Sequence, residues 1–89
     1  MTMYQNEQLT VAEMRTGQTG TVLGVLGGHG SVRRLDALGI RPGKKVTKLG
    51  STLFRGPVIL RVDNAQVAVG FGMARKILVE IDKYLPRAH

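Results

Sequence analysis

Few residues in this 89-residue chain have the types and spacing that chemistry on a substrate requires. The chain contains no cysteine, which excludes a thiolate nucleophile, a thiolate zinc site and an iron–sulfur cluster. Its two histidines, His29 and His89, are far apart and form no HxH or HxxxH pair. We therefore predict no protein-built metal site and no metal cofactor, and a weak surface contact between His29 and a metal is left open.

Other signals of catalysis are also missing. The carboxylates of Asp36, Asp63 and Glu80 fall at positions that we expect to face outward or to lie in turns, and no Ser–His–Asp arrangement accompanies them. The glycine-rich segment 39–45, GIRPGKK, lacks both the spacing and the hydroxyl of a phosphate-binding loop. These observations predict a protein that is not an enzyme, with no catalytic residue and no cofactor.

The positive charge is concentrated in the second half of the chain. There are 13 basic and 6 acidic residues, a net charge of +7, and residues 1–40 contribute none of that net charge. Residues 41–61 contain six basic side chains and no acidic one: Arg41, Lys44, Lys45, Lys48, Arg55 and Arg61. A basic face of this kind fits an acidic protein surface, an anionic lipid or a nucleic acid. Only four aromatic residues could stack on bases, so nucleic acid is the weaker choice.

The hydrophobic pattern predicts short strands separated by turns. Strand patterns cover residues 19–26, 45–49, 57–62, 65–71 and 77–81. Asp63 and Asn64 form a two-residue hairpin turn between the third and fourth of these strands. Single helical turns are predicted over residues 10–14 and 73–76. Five short strands in so short a chain favour a small closed barrel, since closure removes exposed sheet edges.

One helix is predicted between the first two of these strands. Ser31 is a suitable N-cap, and Val32, Leu35 and Leu38 recur on what we expect to be the inward face. Gly39 stands where a left-handed residue ends a helix. The spacing therefore predicts a two-turn helix over residues 31–38.

The domain organisation follows from these elements. We expect one domain over residues 9–81, a flexible leader over residues 1–8 and a tail over residues 82–89. The chain has no signal-peptide pattern and no apolar run near the roughly 20 residues that span a bilayer. A cytoplasmic location is expected.

The order of these features over residues 9–81 resembles the FeoA family, ferrous iron transport protein A. The resemblance rests on residues 20–22 (GTV), 34–43 (RLDALGIRPG), 56–58 (GPV) and the AxxIxV pattern of residues 74–79. It implies a mainly β fold, a small SH3-like five-stranded barrel with one short helix between the first two strands and short helical turns.

The resemblance also implies a function. Members of this family are associated with bacterial ferrous iron uptake as cytoplasmic accessory or adaptor proteins. The implied partner is the membrane permease FeoB, which such a protein binds and regulates through protein–protein contacts at the inner membrane face. Contact with anionic lipid suits the net charge of +7, and self-association is left open. The alternative is a small barrel that binds nucleic acid through the basic face of residues 41–61.

Six residues form the predicted partner-binding surface. Two of them, Leu53 and Phe54, lie in a predicted loop between Gly50 and Gly56, where they are either a lid over the barrel or anchors for a partner. The other four are basic and would orient an acidic partner: Arg55, Arg41, Lys44 and Lys48.

Overall fold

A computed structural model describes residues 3–51 and 55–85, with the side chains of residues 7–51 and 55–81. Strands in these residues are β1 (Met3–Thr10), β2 (Thr19–Val25), β3 (Lys45–Ser51), β4 (Val58–Val62), β5 (Ala65–Val69) and β6 (Ile77–Leu85). Helix α1 (His29–Ala37) joins β2 to β3, and the short helix α2 (Phe71–Ala74) joins β5 to β6. A 3-10 turn (Val11–Glu13) joins β1 to β2. The mainly β architecture expected from the sequence is confirmed.

The described strands form one antiparallel sheet in the order β1-β6-β2-β3-β4-β5. Two irregularities interrupt its ladders, one between Val22 and Gly24 where β2 meets β6, and one between Lys48 and Gly50 where β3 meets β4. Irregularities of this kind bend a strand and increase its twist. The sheet can therefore curve around the apolar side chains of its inner face.

The core lies inside this curved sheet and draws on strands β2 to β6, both helices and the 3-10 turn. Its buried members are Val11, Met14, Val22, Leu35, Ile40, Val46, Val58, Leu60, Val62, Val69, Ala74, Ile77, Val79 and Ile81. Strands β2 and β6 approach closely at Gly20, where an added Cβ would lie 3.1 Å from the Cβ of Val79 and 3.3 Å from the carbonyl oxygen of Glu80. Glycine suits this position because a side chain would require Val79 or the β6 backbone to shift by a few tenths of an ångström.

The sequence predicts five strands, and the structure has six in the part of the chain it describes. The additional strand is β1, which pairs with β6 from Met3↔Leu85 to Thr10↔Leu78. Much of the expected leader and tail is thus one antiparallel ladder. The polar, aperiodic residues of β1 gave no strand pattern, since a ladder is formed by backbone groups and does not require an apolar face. The described ladders leave β1 and β5 at the two edges, so the expected closure by strand pairing is not found among them.

The predicted helical turn after Thr10 is confirmed as the 3-10 turn. The backbone N–H of Thr10 donates to Oε1 of Glu13 at 2.8 Å. This bond and a second one from the Thr10 side chain lower the pKa of Glu13 below its ordinary value, because both favour the ionised carboxylate. The turn leads Val11 and Met14 into the core.

Helix α1 starts two residues before the predicted start. Its N-cap is Gly28 and not Ser31, since the N–H groups of Ser31 and Val32 donate to the Gly28 carbonyl at 3.2 and 3.3 Å. Gly28 has the extended backbone that an N-cap needs, with φ −89° and ψ −179°. The first helical turn therefore contains His29 and Gly30.

The end of α1 agrees with the prediction. Gly39 has φ +85°, its N–H donates to Asp36 O at 2.9 Å, and the N–H of Ile40 donates to Leu35 O at 2.8 Å. This pair of bonds is the Schellman motif, which satisfies carbonyls at the end of a helix. Ile40 and Leu35 are each 1% exposed, so the chain folds back directly onto the core.

Replacing Gly39 by valine tests this helix stop. We expect Gly39→Val to lower the free energy of unfolding by roughly 1 to 3 kcal/mol, because a β-branched residue is strained at this φ. The new Cβ would also lie 3.4 Å from Cγ1 of Val62. Urea unfolding measures the difference.

The matched control is Gly30→Ala. Gly30 lies in the same helix, has no positive φ and has no atom within 4 Å of an added Cβ. We expect Gly30→Ala to be neutral or to stabilise by about 0.5 to 1 kcal/mol. A Gly39→Val variant as stable as wild type would contradict the assignment.

Candidate functional site

The structure separates the six predicted partner-binding residues into three groups. Leu53 and Phe54 lie outside the described residues. Arg41 and Arg55 are exposed, and Lys44 is half-buried. Lys48 is buried, with 8% of its surface exposed. The described part of the predicted surface therefore consists of Arg41, Lys44 and Arg55.

Arg41 and Lys44 each pair with a carboxylate. Nη1 of Arg41 lies 3.5 Å from Oδ1 of Asp36, and both side chains are more than half exposed. Nζ of Lys44 lies 2.9 Å from Oδ2 of Asp63. Exposed ion pairs contribute little to stability. The Arg41 guanidinium can accordingly exchange Asp36 for an acidic group on a partner at small cost.

Lys48 does not belong to the basic face, which corrects the prediction from the sequence. Its Nζ donates to the carbonyl oxygen of Met14 at 2.6 Å, and its backbone bonds to Gln18 O at 2.9 Å and to the N–H of Gly17 at 2.7 Å. The lysine thus fixes the segment between the 3-10 turn and β2. The alternation of side chains along a strand could have shown that Lys48 is buried, because Lys48 lies on the same inner face of β3 as Val46.

An apolar cleft lies beside Arg41. It has a volume of about 200 Å³ and is lined by Val25, Val32, Asp36, Ile40, Arg41 and Pro42. Almost all of its lining is apolar, and the Arg41–Asp36 ion pair forms the polar part of its wall. The volume is sufficient for one aliphatic or aromatic side chain from a partner.

Sequence reasoning missed this cleft because it placed Val32 inside the fold. Of the three residues predicted on the inward face of the helix, Leu35 is buried, whereas Val32 is 43% exposed and Leu38 is 41% exposed. At 100° per residue, Val32 and Leu38 lie about 60° to either side of Leu35. Of these three positions, the core buries only the central one. Val32 therefore lines the cleft on one flank of α1, and Leu38 lies on the other flank.

The described residues contain no group of three or more His, Asp or Glu side chains placed to hold a metal ion. His29, at the start of α1, is exposed. No helix in the described part of the chain is long and apolar enough to cross a membrane.

Comparison with known structures identifies the class of protein as a small, mainly β domain of the SH3-like type. A crystal structure described as "Iron Uptake Regulatory Protein (FeoA)" matches with a TM-score of 0.75 and 32% identity, covering 89% of this chain and 99% of the other. A FeoA-like protein from Clostridium acetobutylicum matches with a TM-score of 0.75 and 22% identity, covering 93% of each chain. A manganese-dependent transcriptional repressor shares the fold at a TM-score of 0.77 and 24% identity, over 86% of this chain and 43% of that one. The expected SH3-like fold class is confirmed.

The family follows from the sequence comparisons. The model of the FeoA domain matches residues 9–81. A relative from Methanocaldococcus jannaschii, whose name refers to Fe(2+) transport protein A, is 32% identical over 74 residues, which is 83% of this chain and 88% of the relative. The chain belongs to the FeoA family, which is linked to ferrous iron transport, and the predicted resemblance is confirmed.

The structural role assigned to Lys48 can be tested with Lys48→Met, which retains an apolar stem and removes the ammonium. We expect a loss of about 1 to 3 kcal/mol in the free energy of unfolding, since the buried Met14 carbonyl loses its charged donor. Chemical denaturation monitored by circular dichroism gives the value.

Lys45→Met is the control, because Lys45 lies on the same strand and is exposed. Its effect should stay within about 0.5 kcal/mol. Equal stabilities for the two variants would show that the Lys48–Met14 bond contributes nothing.

Proposed function

We propose that this chain is a cytoplasmic accessory protein of ferrous iron uptake that binds the membrane permease FeoB and regulates it through protein–protein contacts. The observation that carries the proposal is the match to the FeoA domain over residues 9–81, nearly the whole of the described chain. The crystal structure of a relative with 32% identity is that of an iron uptake regulatory protein, which supports a regulatory role. The proposed location is the inner membrane face when the partner is bound.

The cleft beside Arg41 is the part of the described surface best suited to this contact. Apolar pockets that accept an anchor side chain supply most of the affinity in protein interfaces, while charges at the rim set orientation and association rate. Val32 supplies a half-exposed apolar wall, and Arg41 supplies a cation whose present partner is weakly held. The permease segment that fits presents an apolar side chain with an acidic residue beside it.

A second proposed contact lies between β3 and β4 in the chain and consists of Leu53, Phe54 and Arg55. The sequence supports their role as anchors because two large apolar residues occur beside a cation between glycines.

Lys44 and Arg41 lie close in the chain and are joined by a backbone hydrogen bond of 3.0 Å from Lys44 N to Arg41 O. Anionic lipid near the permease would add attraction of about 1 kcal/mol for each nearby Lys or Arg.

Nucleic-acid binding is not favoured. The six basic residues that suggested it do not form one exposed row, since Lys48 is buried on the inner face of β3 and Lys45 is exposed on the outer face. Binding to a phosphate backbone requires several cations that release counterions together.

Capture of FeoB by the immobilised protein tests the cleft. Detergent extracts of membranes with and without the cognate FeoB are passed over wild type, Val32→Ser and Leu38→Ser. We expect Val32→Ser to reduce capture about tenfold or more, because it removes an apolar wall of the anchor site. Leu38→Ser is the matched control, since Leu38 is equally exposed on the opposite flank of α1, and it should capture FeoB like wild type. Equal capture by all three would exclude the cleft, and no capture by wild type would overturn the proposed function.

The contact proposed for Leu53 and Phe54 is tested by combining Leu53→Ser with Phe54→Ser. If these residues are anchors, the double variant should melt like wild type and lose FeoB capture. If they are a lid, it should lose about 2 kcal/mol or more of stability. Reduced stability with full capture would exclude the anchor role.

Arg41→Glu should weaken capture mainly at low salt, with exposed Lys45→Glu as its charge-matched control.

A further inference from the structure

Strand β5 has an open edge that is suited to pairing with another strand. It is the last strand in the sheet order, and among the described strands β4 alone pairs with it. Its register with β4 is regular, without a bulge, from Val62↔Ala65 to Val58↔Val69. The outer edge of β5 therefore presents a straight row of backbone groups.

The hairpin geometry identifies which backbone groups face outward. Val62 and Ala65 flank a two-residue turn, so they must be a hydrogen-bonded pair, and hydrogen-bonded pairs recur at every second residue. Val67 and Val69 consequently bond to β4. Gln66 and Ala68 direct their N–H and C=O groups away from β4, and both residues are exposed. None of the described backbone hydrogen bonds outside the ladders involves Gln66 or Ala68.

This edge lacks the features that natural proteins use to prevent strand pairing. The sequence of β5, AQVAV, contains no charge and no proline. Exposed edge strands are ordinarily protected by lysines, prolines, bulges or a covering element. The opposite edge of the sheet, β1, contains the charged residue Glu7.

We propose that β5 is a self-association surface, on which β5 of a second copy of this chain pairs antiparallel about a two-fold axis at Val67. In this register Gln66 lies opposite the Ala68 of the other copy, and the outward groups of both residues form reciprocal hydrogen bonds. The two Val67 side chains meet at the axis as a close, non-hydrogen-bonded pair. The outward N–H and C=O groups of Gln66 and Ala68 in the two copies are thus hydrogen-bonded to one another in one regular register.

The residues beside this edge allow a second copy to pair without local charge repulsion. Arg61 lies opposite Gln66 within the chain, and Ile59 lies opposite Ala68. The row across the pair therefore reads Arg61, Gln66, Ala68, Ile59, in which no two like charges meet. The net charge of +7 on each copy still opposes association. Added salt should consequently strengthen the pair by screening, whereas it weakens binding to acidic partners.

Sedimentation velocity over about 10 µM to 1 mM protein tests the proposal, at low and high salt, because a small interface is expected to be weak. Wild type should show concentration-dependent dimerisation that increases with salt. Ala68→Pro should raise the dissociation constant about tenfold or more, because it removes the outward N–H of a residue that gives no N–H to β4. Ala68→Lys should raise the dissociation constant to a similar extent, because it adds a charge to the edge while the backbone N–H is retained.

Ala68→Thr is the matched control, since it retains the N–H, adds no charge and suits a strand. It should associate like wild type. Thermal melting of each variant as a monomer identifies any that fails to fold, and Ala68→Lys keeps the test valid if the proline variant does not fold. A wild type that stays monomeric to about 1 mM at both salt concentrations, or a folded Ala68→Lys that dimerises like wild type, would overturn the proposal.

Discussion

The left-handed turn at Gly39 determines how the helical part of this fold meets its sheet. It ends α1, and the bond from Ile40 N to Leu35 O turns the chain back onto the core. The chain then joins β2 through bonds from Gly43 N to Val22 O and from Val22 N to Lys44 O, each 2.8 Å. β3 starts from this junction. The cleft walls therefore depend on the turn, since Val32 precedes it and Ile40 and Pro42 follow it.

Local signals in the sequence were sufficient for the elements that depend on local chemistry. Gly39 predicted the end of the helix because few other residues adopt a positive φ, and Asp63–Asn64 predicted the hairpin because two-residue turns require specific residues. Residues that depend on tertiary packing were predicted less well. Val32 and Leu38 have the spacing of an inward face, but the core covers only Leu35, which lies between them on the helix. The ladder of β1 with β6 escaped detection because its partners lie at opposite ends of the chain.

The distribution of charge shows the same limit. A run of basic residues shows that positive charge is concentrated in one part of the sequence. It does not show that the side chains share one exposed surface. Strand alternation sends Lys48 inward and Lys45 outward within a single strand. The Lys48 ammonium then fulfils a structural function, as the donor to a buried carbonyl next to the 3-10 turn. Of the site predicted from the sequence, Arg41 lines the cleft, and Lys44 follows it in the chain and pairs with Asp63. The cleft itself could be found only from the way α1, the end of β2 and residues 40–42 come together.

The strand order separates the cleft from the open edge. β2 carries Val25 on the cleft wall, and β3 and β4 lie between it and β5. Neighbouring strands are about 4.8 Å apart, so the edge lies roughly 14 Å from the cleft strand along the sheet. No residue of β5 lines the cleft, so pairing through β5 would use none of the cleft's residues, and the two β2 strands would lie roughly 34 Å apart along the joined sheet. The two proposed contacts are then independent. A change at Ala68 alters association between copies without touching the cleft, and a change at Val32 does the reverse, so each contact can be removed while the other is measured.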